Sequence, residues 1–114
     1  MATLTEARGA AHAGILGIGA YRPSRVIPNS EIVEAIDSSD EWIQQRSGIR
    51  ERRWATPEET VRSMAVSAAR DALERAGVDA RQVDCVVVAT VTHLVQTPAV
   101  ATAIAHDLGV GDEA

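Results

Sequence analysis

Phenylalanine is absent from this sequence, tyrosine occurs once and tryptophan twice, so a core must be assembled from small aliphatic side chains. Lysine is absent too. All eleven basic residues are arginine, which together with the alanine richness reflects genomic base composition and carries no information about partners. A single cysteine excludes an intrachain disulfide and, with no secretory pattern at the start, fits a reducing compartment. The first thirteen residues include Glu6, Arg8 and His12 and contain no continuous apolar run, so neither a signal peptide nor a membrane span is expected there. Cytoplasm is the expected location. The formal net charge of −5 excludes a general nucleic-acid binder, which must neutralise phosphates with a basic surface. No His, Cys and acidic spacing describes a metal site, since His12, His93 and His106 stand apart.

What is present reads as part of one soluble-type domain. At 114 residues, 46% hydrophobic and 24% charged, the chain has room for one small domain and not for two. Residues 1–13 are small and polar and read as a flexible extension, with order beginning at Gly14. The run Gly14 to Tyr21 is apolar and stops at Arg22-Pro23, as a buried strand ending in a turn would. Asn29 stands where it can cap a short helix carrying Ile32, Val33 and Ile36. Ser38 and Glu41 have capping-box spacing for a second helix over about 39–45, and Gly48 stops it. Ile49 to Trp54 reads as a hairpin arm or an extended loop.

Thr56-Pro57-Glu58-Glu59 has the pattern of a helix start, with Thr56 as cap and Glu59 closing the box. The helix that follows carries Val61, Met64, Ala65, Ala68, Ala69, Ala72, Leu73 and Ala76 on one stripe and stops at Gly77. Val83 to Thr90 is a β-branched run of the kind found in a parallel strand buried on both faces. Thr97-Pro98 then opens a helix with Val100, Ile104 and Leu108 inward and Gly109 as its stop. Two apolar strands joined by a long helical crossover predict a layered α/β fold with a parallel-rich sheet and covering helices. Two strands are few for such a sheet, so residues 14–114 read as the first part of a larger unit.

Two patterns are set aside. Gly17 and Gly19 do not form a dinucleotide fingerprint, because Arg22 stands at the third glycine and Pro23 follows where a helix should open. Cys85 lies inside the β-branched run with no base or helix start beside it, and is expected to be a small buried hydrophobe, not a nucleophile.

Trp42 and Arg46 stand one helical turn apart. Spacing alone favours a half-buried tryptophan with the arginine lying over it as a cation–π pair. The segments Gly17 to Pro23, Ser38-Ser39-Asp40-Glu41-Trp42-Ile43, Arg46 to Arg52, Ala76-Gly77, Val86 to Thr90 and Gln96-Thr97-Pro98 nevertheless occur in a known order. In that order the chain resembles the N-terminal part of the β-ketoacyl-acyl-carrier-protein synthase III family, from Gly14 to about Gly109. The Asp-Glu-Trp-Ile and Arg-Ser-Gly-Ile pair carries the specificity. The resemblance implies the thiolase fold and a homodimer. It also implies condensation of an acyl-CoA primer with malonyl-acyl-carrier protein, with no cofactor beyond the CoA thioester itself.

By the same resemblance Trp42 stacks on the adenine of CoA, Arg46 contacts its phosphates, and Ser38 places a hydroxyl near the adenine. Arg50, Arg52 and Arg53 would form either a phosphate-facing rim or a salt-bridged loop. Thr97 matches a residue that crosses the dimer interface to line the partner's acyl pocket. A small residue there would admit branched or longer primers, and Thr97→Phe would narrow the preference to short ones. The family's Cys-His-Asn set is not matched in this chain. Its nucleophilic Cys is expected beyond Ala114, so the chain alone is expected to be inactive. The rival readings are a non-catalytic partner that regulates or scaffolds a synthase, and a related enzyme of polyketide initiation.

Overall fold

The structure is a computed structural model that describes residues 9–111. The extension expected over 1–13 lies outside the described residues as far as residue 8, and residues 9–13 are exposed, forming neither helix nor strand. Elements follow in the order β1 (Arg25–Pro28), α1 (Asn29–Val33), α2 (Asp40–Ser47), β2 (Glu51–Trp54), α3 (Val61–Ala76) and α4 (Val100–Leu108), with one 3₁₀ turn at Ala80–Gln82. Gly48, Gly77 and Gly109 end the last three α-helices at φ 72°, 64° and 75°. A side chain rarely adopts that left-handed conformation, so the stops read from these glycines hold.

The sheet differs from expectation. Among the described residues the only ladder is β1 against β2, antiparallel, with Arg25 opposite Trp54 and Pro28 opposite Glu51. The arm read at 49–54 is thus real, and its partner was hidden because Arg-Val-Ile-Pro lacks a strand's usual pattern. Pro28 is tolerated because it sits at the end of an edge strand. The two apolar runs at 14–21 and 83–90 form no ladder. A β-strand is defined by its partner's N–H and C=O groups, and the described residues supply none to either run. Ile15, Leu16, Ile18 and Val87 are accordingly exposed, as is Cys85, which was expected to be buried.

Both runs still lie against helix. Val86 and Val88 pack on a core of Val66, Val100 and Ile104, the last only 2% exposed. Val66, absent from the expected stripe of α3, packs with Ala65 in the core beside α4, whereas Ala68, Ala72 and Ala76 lie against the first apolar run. A methyl group at Gly17 would come 2.9 Å from Ala76 Cβ. One at Gly19 would overlap Ala68 O and Ala72 N, so only glycine lets the backbone approach α3 this closely. Arg62 grips Asp107 with two hydrogen bonds of 2.5 and 2.6 Å, and Arg70 donates to Asp107 O at 2.9 Å, fastening α3 to α4.

The start of α3 is also displaced. Thr60 is its cap, accepting from Ser63 N at 3.1 Å, while Ser63 Oγ accepts from Thr60 N at 2.9 Å. Thr56 and Glu59 do pair as a box would, Glu59 accepting from Thr56 N at 2.8 Å, but they close an isolated turn. Glu59 is held there because it also accepts from Tyr21 Oη at 2.6 Å and Ser24 N at 2.8 Å. Those donors, Tyr21 first, pull its carboxyl well below 4.5, to about 2, and the hydrogen bond to the Glu59 carboxylate pushes the Tyr21 hydroxyl up. At α4 the cap is Ala99 with no side-chain bond, so Thr97 is not a cap.

The surface of 9531 Å² compares with about 6,000 Å² for a compact monomer of 12.1 kDa. A Cα radius of gyration of 19.7 Å likewise exceeds the roughly 13 Å of a compact domain this long. Large apolar side chains of both runs and of the loop after the second are exposed, Val91 to 100%.

Candidate functional site

The site grows from α2. Its cap is Ser39, whose Oγ accepts from Trp42 N at 3.2 Å, one residue later than the Ser38 cap expected. The shift leaves Ser38 Oγ buried with no hydrogen-bond partner among the described residues. A buried hydroxyl without a partner is unfavourable and rare. Ser38 lines a cleft of about 470 Å³ with Ile36, Asp37, Ser39 and Trp42. Trp42 is 56% exposed beside that cleft, and the Arg46 guanidinium carbon lies 5.6 Å from its ring centroid. The cation–π pair that spacing favoured is therefore present, and it coexists with an open aromatic wall.

The helix is fixed from behind. Asn29, 1% exposed, is not the cap its position advertised; the cap of α1 is Pro28. Its Nδ2 donates to Asp40 Oδ1 and to Ile49 O, each at 2.7 Å, and its Oδ1 accepts from Arg52 at 3.2 Å. Asp40 Oδ2 accepts from Gln44 at 2.8 Å. Those two amides, Gln44 first, hold the Asp40 carboxyl below its ordinary range. Arg52 is thereby engaged inside the fold, and Arg53 donates to Pro23 O at 3.3 Å. Of the basic cluster, Arg50 remains exposed near the site together with Arg46. Thr97 is exposed on the loop before α4 and does not meet this cleft. His93 is half-buried on the same loop. No group of three metal-ligating side chains occurs among the described residues.

No family model matches the chain. It is 55% identical over all of its 114 residues to the β-ketoacyl-[acyl-carrier-protein] synthase III of Streptomyces glaucescens, of which it covers 34%. Among solved structures it matches the priming β-ketosynthase of the R1128 polyketide biosynthetic pathway at TM-score 0.80 and 52% identity, over 87% of this chain and 29% of that one. It matches the 3-oxoacyl-[acyl-carrier-protein] synthase III of Aquifex aeolicus VF5 at TM-score 0.76 and 39% identity, over 85% and 32%. The described residues thus form part of a thiolase-type α/β fold. By sequence the chain is similar to part of the β-ketoacyl-[acyl-carrier-protein] synthase III enzymes, and it spans about a third of the length of the curated relatives it matches.

Proposed function

We propose that this chain is the CoA-contacting part of a β-ketoacyl-acyl-carrier-protein synthase III, an acyltransferase that condenses an acyl-CoA primer with malonyl-acyl-carrier protein to start fatty-acid synthesis. The observation that carries the reading is the half-exposed Trp42 ring beside an open cleft, backed by Arg46. An aromatic wall takes an adenine by stacking, worth about 1–3 kcal/mol per base. The adenine amino group is a donor, and Asp37 and the partnerless Ser38 Oγ both offer acceptors in the cleft. Arg46 and the exposed Arg50 supply positive charge for the phosphates. On this reading the Cys-His-Asn set belongs to the remainder of the enzyme, Thr97 faces the partner's acyl pocket in a homodimer, and the enzyme works in the cytoplasm. Among the described residues no helix is long and apolar enough to cross a membrane.

The test uses a chimaera in which this segment replaces its counterpart in the Streptomyces glaucescens relative. Trp42→Ala should raise KM for acyl-CoA by about tenfold, the lower part of the stacking range, and leave KM for an acyl-pantetheine lacking adenine unchanged. An equal effect on both substrates would refute the adenine contact. A second reading, initiation of a polyketide, is favoured by the 52% identity to the R1128 priming enzyme. Competition between acetyl-CoA and longer acyl-CoA primers in the same chimaera separates the two.

A further inference from the structure

The eight-residue helix that presents Trp42 and Arg46 buries only one side chain, Ile43. A helix this short is marginal alone, and one buried isoleucine does not fix its direction or rotation. Something else must aim the aromatic face. The polar contacts behind the helix converge on one residue, Asn29.

Asn29 is anchored first by its backbone. Its N–H donates to Arg50 O at 3.2 Å, extending the β1–β2 ladder by one bond. From that fixed point one amide hydrogen reaches Asp40, the first residue of α2, and the other reaches Ile49 O, just past the Gly48 stop. The side-chain oxygen accepts from Arg52 of β2. One carboxamide thus ties both ends of α2 to the hairpin, with both donors and the acceptor used inside the fold. No other residue type offers two donors and an acceptor at this length. Aspartate would set a carboxylate against Asp40 and the Ile49 carbonyl. Alanine would leave three polar groups without their partner.

We propose that Asn29 is a positioning residue for the nucleotide end of CoA, acting through Asp40 and Ile49 on the Trp42–Arg46 face. The inference rests on the CoA reading above. Loss of the clamp lets α2 rotate or fray, and a small displacement of a binding group is enough to cost an order of magnitude in transition-state or ligand stabilisation.

In the same chimaera, Asn29→Ala should raise KM for acyl-CoA by about tenfold, with kcat per folded enzyme within about twofold and KM for acyl-pantetheine and for the malonyl carrier unchanged. A purely structural role predicts the reverse, a fall in the folded fraction with every KM unchanged, and that result overturns the proposal. Should Asn29→Ala not fold, the pair Asn29→Asp and Asp40→Asn decides. Asn29→Asp alone should weaken acyl-CoA use, and adding Asp40→Asn, which restores a donor facing an acceptor, should recover part of it. No recovery overturns the route through Asp40. Trp42→Ala is the control. If it leaves KM for acyl-CoA unchanged, the CoA reading fails. If it raises that KM while Asn29→Ala does not, only the role of Asn29 fails.

Discussion

Two regions of this chain differ in how far each completes its own contacts. Residues 25–54 bury Ile27 and Ile43 and add polar contacts that the region supplies to itself: a four-residue ladder, the Asn29 clamp and the Ser39 cap. Residues 14–21 and 83–95, with α3 and α4, join the Arg62 and Arg70 bonds to Asp107 with apolar packing that is finished on one side only. Val66, Val100 and Ile104 close the gap between the helices, while Ile15, Leu16, Val87, Val91 and Leu94 face outward. The difference follows from the forces. Hydrogen bonds are short-range and local partners complete them. Burial of a β-branched run needs a whole covering layer. The region that presents the proposed ligand site can therefore be assembled from a short stretch of sequence, whereas the layered region leaves one face of its apolar runs uncovered among the described residues.

The strongest way to break this contrast is Val87→Asp in the assembled enzyme. If the second run is covered there, a buried carboxylate without a partner costs several kcal/mol and the folded, soluble yield collapses. A change of only about 0.5 kcal/mol, as at an ordinary surface position, would mean that the run stays exposed and the contrast is false.

Next in size is Gly19→Ala. Its methyl would meet backbone atoms of α3, which cannot step aside as a side chain can, and about 2 kcal/mol of stability should be lost in denaturant unfolding. Gly48→Ala makes the matching test at the end of α2. Open space surrounds that position, so only the left-handed backbone opposes a methyl, and about 1 kcal/mol is expected. Equal costs would show that close packing on α3 is not what distinguishes the layered region.

The smallest effect is in pH. Glu59 ties Tyr21 of the layered region to Ser24 and Thr56, which flank residues 25–54, and its folded-state value is depressed from 4.5 to about 2. Its contribution is therefore full above about pH 4.5 and is lost as pH falls towards 2. Glu59→Gln should flatten stability across that window. An unchanged acid limb would place the junction elsewhere.

Much of this was legible along the chain. Three glycine stops, the inward set Val100, Ile104 and Leu108, and the one-turn pairing of Trp42 with Arg46 are local facts, and each was read from spacing. The helix starts were less legible because neighbouring residues compete to cap. Ser38 and Ser39 are adjacent hydroxyls, and only the chain's approach to α2 selects the second. Thr56 with Glu59 outshone Thr60 with Ser63, yet Glu59 was drawn to a tyrosine 38 residues away. No periodicity points to Asn29 as a clamp, since its partners lie 11, 20 and 23 residues distant.

By itself the sequence determined the helices that end in glycine, the apolar runs and the residues of the aromatic–arginine pair, because each depends on contacts within a turn or two of chain. The tertiary structure alone decided which hydroxyl caps and which is left without a partner. It also joined Arg25–Pro28 to Glu51–Trp54 and placed Asn29 behind the site. The pairing and the placement of Asn29 depend on groups far apart in sequence meeting within a hydrogen bond's reach.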